Sequence, residues 1–581
     1  MAIFAVKISI KDMSENRGVL FWTLLFVAIV TTLPFLGLTE FYSKGEPREA
    51  VVALSMLKDG NWILPINNGG DIPYKPPFFH WIIALLSLPQ GYVSEFTSRL
   101  PSALSLIIMV IGGYLFNARR QNASIAFMTA MLTLSAFEVH RAGMACRVDM
   151  LLTLCMVGSY WLLYRWWERG MRGFPLWAVL SMSGAALTKG PVGILLPCFV
   201  IGVFMLIRGI RWWKVFSRLT LLAIAACIIP ALWYIAAYHQ AGNHFLSLVM
   251  EENFGRFTGT MSYASHEHPF TYNFMTLFVG WTPWTLLAVF SLFSIKWQRP
   301  HCFVNPLRRL RTCDSFQLFT WLAFGLTLFF YCIPSSKRSV YLLPCYPFMA
   351  LLLAQYIVGL IQQHRRTVNT FVATMSVLGV LLIIAFIIIR AGVIPDTIFH
   401  GKHAEDNILT LHAMENAPLC FGNILLLALP VLIGIPAFYT AVRHSQPYST
   451  RHLMVAHMFS IVFVIFMLLD GFILPTVLNV KSERPLAEFI NHRYAKESVY
   501  QYLETPMLHF FGTDFYAGDR IRQFELDRPA KGVVMLKASE KEAFIHRHQD
   551  YQFVSDWHSA RRLAEVKDTI YFYRFKRSST K

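Results

Sequence analysis

Apolar runs close to the roughly 20 residues that cross a bilayer's hydrocarbon core recur along this chain as far as residue 474. Candidate segments lie near 20–38, 77–92, 98–117, 123–140, 148–166, 174–188, 190–207, 216–238, 274–294, 314–332, 340–361, 368–389, 419–441 and 452–474. Arg119-Arg120, Arg165 with Arg169 and Arg172, Arg208 to Lys214, Lys296 to Arg311, Arg365-Arg366, and Arg443 with Arg451 are basic clusters between them. From residue 123 onward these occupy every second loop, as expected where Lys and Arg stay on the cytoplasmic side. Crossing at both 77–92 and 98–117 would throw Arg119-Arg120 outside. The short segment 77–92, opened by Pro76-Pro77, is therefore predicted to lie in or dip into the interface. About 13 spans remain, with the amino terminus inside and the carboxyl terminus outside. Residues 20–38 are kept as the first span, because the run is long for a signal-peptide core and no small-residue cleavage site closes it.

After Pro475 the pattern becomes mixed. SERPLAEFINHRY and ASEKEAFIHRH read as amphipathic helices, and GVVMLK and TIYFYRF as strands. The sequence thus predicts an all-α polytopic membrane protein with a small C-terminal α/β domain. The domain expectations are 1–474, containing a first outer loop at 39–97 with juxtamembrane helices and a second at 239–273, and a soluble domain at 475–581. That domain shows no Gly-rich phosphate loop, metal-ligand spacing or nucleophile motif, so it is assigned structure or acceptor docking. No internal repeat appears, which disfavours a transporter built from duplicated halves.

Composition narrows the partners. The net charge of +18 sits in a chain that is 55% hydrophobic and only 15% charged. Its cations fall in short clusters between apolar runs, which argues for topology signals and against nucleic acid. The nine Cys include no CxxC pair and none after Cys420, so neither a zinc ribbon nor a disulfide framework is indicated.

Topology leaves a set of outer charges that insertion rules do not explain: Glu46, Arg48, Lys75, Arg141, Arg147, Asp149, Lys189, Glu251, Glu252, Arg256, His266, Glu267, His268, Lys337 and Arg338. Ionisable groups near membrane depth cost on the order of 3 kcal/mol each at a helix centre, so their recurrence points to a polar cavity for a phosphate-bearing ligand. Bland roles compete with that one. Glu46 before Pro47, and Asp149 at the start of an apolar helix, are placed as helix caps or as acids of a site. Lys189, in the Gly-Pro turn of ALTKGPVG, snorkels to head groups or neutralises a lipid phosphate. Lys337 and Arg338 are solvated anchors or phosphate ligands. HEH is not the HExxH of a zinc helix; a Mg, Mn or Zn site drawing on Glu251, Glu252, His266 and His268 is a weaker candidate.

GEPREAVVALSMLKDGNWILP, YKPPFFHW, RVDMLLTL, LTKGPVG, EENFGRF and SSKRSVYLLPCYP, in that order over residues 40 to about 350, make the chain resemble the bacterial aminoarabinose lipid A transferases. These are protein O-mannosyltransferase-like GT-C glycosyltransferases. The resemblance implies a GT-C helical membrane core and an inner-membrane location with a periplasmic outer side. It also implies a polyprenyl-phosphate sugar donor and lipid A or another lipid or glycan as acceptor, in a monomer among membrane lipids. Carried over by motif, Glu46 and Asp149 become catalytic candidates, and Arg48, Lys75, Arg147, Lys189, Lys337 and Arg338 phosphate-binding ones. The chain departs from the pattern at Gly45, Tyr74 and Asn253, where that family tends to carry an acid, an acid and a histidine, which leaves sugar and metal open. A protein or polysaccharide transferase of the same class, and a lipid-linked sugar flippase, are the alternative functions.

Overall fold

Eight helices among the described residues are long and apolar enough to cross a membrane, or ten if two sharply bent pairs each count as one span. The computed structural model describes residues 16–252, 267–294, 312–401, 403–443, 451–505 and 508–578, and the chain divides into two compact units. The membrane unit comprises Met1–Phe35, Ser102–Val393 and Pro418–Phe472; the polar unit comprises Leu36–Pro101, Ile394–Ala417 and Ile473–Lys581.

The bent pairs fall where single runs were expected. Ala123–Leu134 and Phe137–Gly143 meet at 67°, and Tyr272–Gly280 and Trp284–Ser294 at 97°. Val148–Glu168 packs beside Leu176–Lys189 and Val192–Ile207. The turn between the last two explains the glycines of LTKGPVG. Gly190 has φ +118°, and a Cβ on Gly193 would lie 2.5 Å from that of Ala185, so the chain reverses only where a side chain is missing. Lys189 is the last residue before that reversal.

In the polar unit, Pro47–Asp59 is a helix opened by Pro47 and closed by Gly60 at φ +71°, as the sequence pattern suggests. Segment 77–92 yields only the ten-residue helix Phe78–Ser87, about 15 Å long at 1.5 Å per residue and half of what a crossing needs. A five-stranded sheet has the order β2-β1-β3-β5-β4, from β1 (Val499–Gln501), β2 (Arg522–Gln523), β3 (Lys531–Lys537), β4 (Tyr551–His558) and β5 (Ile570–Arg577). β1 runs parallel to β2 and β3, while β5 is antiparallel to β3 and β4. Val533 and Met535 of β3 enter one core with Ile490, Tyr494 and Phe572; Val534 and Leu536 enter the other with Phe524, Phe544 and Phe575. This alternation is the period-two rule of a strand buried on both faces.

One unit edge falls between Phe472 and Ile473, and Leu36–Pro101 belongs to the polar unit. Ser55 donates to Asp519 (2.7 Å), the Asn68 amide donates to Asp519 (2.8 Å), and Gln523 donates to the Asn68 carbonyl (3.1 Å). A Cβ on Gly69 would come within 2.4 Å of the Arg522 backbone. The Asn-Gly-Gly run Asn68–Gly70 is a docking point against β2.

Candidate functional site

In the membrane unit the motifs deliver their charges in pairs. Asp149 is in the first turn of Val148–Glu168, two residues past the N-cap position, which Arg147 occupies. Its carboxylate instead accepts from Lys189 Nζ at 2.6 Å, and it is 8% exposed. Lys189 Nζ also stands 4.1 Å from the Tyr341 ring centroid, a cation–π contact that helps hold its charge. The Tyr341 amide donates to the Arg338 carbonyl at 3.1 Å, so Arg338 belongs to the same turn. Arg147 immediately precedes the helix as its N-cap residue. Neither the Arg147 nor the Arg338 guanidinium has an ion pair or hydrogen-bond partner among the described residues, and both are half-buried. Arg147 and Arg338 are thus two further cations in the motifs that supply Asp149 and Tyr341.

Lys337 differs from its neighbour. Its ammonium donates to the carbonyls of Pro334 (2.5 Å), His268 (3.0 Å) and Ser335 (3.5 Å), and the residue is 4% exposed. An ammonium has three N–H groups; all three are occupied in fixing the loop, so Lys337 is a structural cation here. His268 stacks on Tyr272 at 3.9 Å, and Glu267 bridges to Ser336. Glu251 and Glu252 continue the preceding helix, while Arg256 and His266 lie outside the described residues.

Two further pairs in this unit escaped the sequence reading. His140 Nε2 lies 2.6 Å from Asp470 Oδ2, and the imidazole is 4.5 Å from the Phe466 ring. Asp470 stands in a π-helical stretch, Leu469–Ile473, a distortion often found at functional sites. Arg141 donates to Glu138 at 2.7 and 3.1 Å. A lone Asp within an apolar run, in MLLDGFI, was the available signal for the first of these.

The polar unit holds the remaining candidates. Glu46 is the N-cap residue of Pro47–Asp59, but its carboxylate makes no cap bond. It accepts instead from Arg99 Nε (2.8 Å) and Nη2 (3.0 Å), and Arg99 Nη1 donates to the Leu36 carbonyl (2.7 Å) and to that of Thr39. Arg99 and Glu46 are 3% and 8% exposed. The capping role expected for Glu46 is thus replaced by a bidentate buried ion pair, the geometry in which Arg binds carboxylate most firmly. Lys75 and Arg48 converge on Glu49, the first as an ion pair and the second at 3.4 Å, and His80 Nε2 lies 3.0 Å from the other Glu49 oxygen. Burial alone would raise the Glu49 carboxyl, yet Lys75, His80 and Arg48 hold it well below the usual carboxylate range. Sequence reasoning passed over Glu49. The signal lay in its spacing, because Glu49, Ala53 and Met56 form one buried stripe and an acid in an apolar stripe needs partners.

Among the described residues no three His, Cys, Asp or Glu side chains come together as a metal site.

These features define a multi-span helical membrane protein that carries paired charges at its helix ends and a small α/β unit. The same fold is seen in ArnT from Cupriavidus metallidurans bound to undecaprenyl phosphate, with a TM-score of 0.66 at 18% identity over 97% of this chain and 98% of that one. The apo state of that protein gives 0.63 at 16% identity, covering 95% of this chain and 97% of that one. A family model described as dolichyl-phosphate-mannose-protein mannosyltransferase matches residues 74–234. The undecaprenyl phosphate-alpha-4-amino-4-deoxy-L-arabinose arabinosyl transferase of Shewanella sediminis is 28% identical over 357 residues, 59% of this chain and 60% of that protein. The transferase 2 of the same description from Proteus mirabilis is 27% identical over 394 residues, 64% and 66% of the two chains. The match spans about three-fifths of the length of these relatives, and the chain resembles the aminoarabinose transferases in sequence and in fold.

Proposed function

We propose that this chain is a glycosyltransferase of the inner membrane, which moves a sugar from a polyprenyl-phosphate donor to an acceptor on the periplasmic side. Lipid A is the leading acceptor. The observation that carries the proposal is the Asp149–Lys189 pair, with the two otherwise unpartnered cations Arg147 and Arg338 in its motifs. The similarity to aminoarabinose transferases and the undecaprenyl phosphate bound to the structural relative support it. The topology proposed with it has thirteen spans, counting Val148–Glu168, Leu176–Lys189 and Val192–Ile207 beside the ten candidates, with the amino terminus in the cytoplasm and the carboxyl terminus in the periplasm.

In this mechanism the donor phosphate lies against Arg147, Lys189 and Arg338. The bond from the anomeric carbon to the phosphate oxygen breaks while a bond to the acceptor oxygen forms, and the polyprenyl phosphate leaves with the electron pair. Fixed cations stabilise the charge that develops on it, worth roughly 3–4 kcal/mol for one well-placed donor. Displacement in one step inverts the anomeric centre. A lipid phosphate acceptor is already anionic and needs no base; a hydroxyl acceptor would give its proton to Asp149. Glu46, held by Arg99, keeps the polar unit's own loop in place.

The family model's description favours a second acceptor class, protein hydroxyls. Mass spectrometry of lipid A and of glycoproteins from a strain lacking the chain separates the two. A sugar mass missing from lipid A supports the first acceptor, and one missing only from protein supports the second. No missing sugar in either fraction overturns the proposal.

A further inference from the structure

The polar unit contains a cavity of about 370 Å³ that the proposed reaction does not use. Leu409, Leu486, Phe489, Trp557 and Leu563 give it an apolar lining. Trp557 and Phe489 lie against one another at 4.3 Å and 31°. Charge of both signs completes the wall. Lys481 and Arg561 line the cavity, and neither side chain has an ion pair or hydrogen bond among the described residues. Glu405 is likewise unpartnered there, while Asp406 has only a 3.9 Å approach from exposed His403. Arg562, by contrast, is engaged with the Lys567 carbonyl, and Glu483 is committed to Thr513 and the Glu565 amide.

We infer that this cavity binds one membrane phospholipid whose head group carries both a phosphodiester and a primary ammonium. Lys481 and Arg561 hold the phosphate, Glu405 and Asp406 the ammonium, and the Trp557–Phe489 surface the glycerol end of the acyl chains.

Three observations select this ligand. The lining is mainly apolar, which suits an amphiphile better than a free sugar phosphate. Two unpaired cations share the cavity with unpaired Glu405 and with Asp406, so a zwitterion satisfies both signs while a simple anion would leave the acids facing it. Parts of the cavity lining also adjoin candidate membrane spans along the chain. Lys481 is two residues past the apolar helix that ends at Asn479, about 7 Å of extended chain at most. Glu405 lies on the stretch between the candidate spans Arg365–Arg390 and Phe421–Val442.

Native mass spectrometry of the purified full chain, released from nanodiscs of equimolar phosphatidylethanolamine, phosphatidylglycerol and phosphatidylcholine, tests this. One phosphatidylethanolamine is expected to be retained in preference to the other two. In Lys481→Glu with Arg561→Glu, its retained fraction falls about tenfold. In Glu405→Gln with Asp406→Asn, a phospholipid stays bound but the preference for the primary amine is lost. Quenching of Trp557 by acyl-brominated phosphatidylethanolamine, taken as the difference between the wild type and Trp557→Phe, locates the lipid even where a charge variant folds poorly. Unchanged retention in both double variants, equal retention of phosphatidylcholine by the wild type, or no Trp557-dependent quenching overturns the inference.

Discussion

Asp149–Lys189 in the membrane unit and Glu46–Arg99 in the polar unit look alike on paper, since each is a buried carboxylate from a charged motif in an ion pair. They differ in what remains once the pair is made. Arg99 also donates to the backbone carbonyls of Leu36 and Thr39, which ties that pair to the backbone of its own loop. Lys189 instead shares its surroundings with Tyr341, and Arg147 and Arg338 in the same motifs have no partner among the described residues. A closed pair holds a loop, whereas a pair with spare cations beside it can receive an anion.

The largest effect should come from breaking the closed pair. Arg99→Leu leaves Glu46 buried and uncompensated, a loss of about 3–5 kcal/mol. Thermal unfolding of the purified chain should show it, and Glu46→Gln with Arg99→Leu should recover most of it. The open pair should answer differently. Lys189→Met with Asp149→Asn removes both charges, so the melting temperature should stay near the wild type while transfer falls about 10²–10³-fold. Recovery of transfer in that double variant would erase the distinction.

The two adjacent cations of SSKRSV sharpen the contrast at smaller cost. Arg338→Gln should weaken donor binding roughly tenfold or more, in proportion to the 1.5–3 kcal/mol of a charged hydrogen bond, with little thermal shift. Lys337→Met should lower the melting temperature, because three carbonyls lose their donor. Donor titrations and melting curves of the two variants should cross over in this way.

The smallest effect is on pH. Glu483 and Glu565 are packed together in the polar unit. Burial raises both carboxyls, with the Glu483 charge adding to the rise at Glu565 and Thr513 with the backbone amides of Phe511, Gly512 and Glu565 opposing it. The folded state therefore binds more protons than the unfolded one, so this stabilisation is full below the unfolded value of about 4.3 and is lost as pH rises through the folded value. Glu49 has the opposite sign: its lowered carboxyl stabilises at neutral pH and loses that contribution as pH falls through the folded value. Glu483→Gln should flatten the loss of stability toward alkaline pH and leave the acid limb unchanged, as melting curves across pH would show.

Hydropathy and Lys/Arg placement made the helical core legible, because lipid exposure imposes a pattern on sequence that is read directly. The strands of GVVMLK and TIYFYRF appeared for a similar reason, with alternating or continuous apolar runs between polar ends. β4 did not, since its exposed Gln552, Val554 and Ser555 blur the alternation. Motif charges also emerged, but their partners did not. Arg99 lies 53 residues from Glu46, Asp470 lies 330 from His140, and no local pattern encodes such pairings. Capping was the local explanation for Glu46 and Asp149, and tertiary ion pairs displaced it at both. The allocation of the first outer loop to the polar unit was hidden likewise, because hydrogen bonds from Asn68 and Ser55 to Asp519 join residues far apart in the chain.

The most direct measurement is release of polyprenyl phosphate in proteoliposomes. These would hold the purified full chain, lipid A, and the lipid-linked sugars extracted from a strain lacking the chain. The wild type should release polyprenyl phosphate in step with a sugar mass gained by lipid A, and the folded Asp149→Asn, Lys189→Met variant should release almost none. Equal release by that variant, or no release with either lipid A or a protein acceptor, would contradict the account.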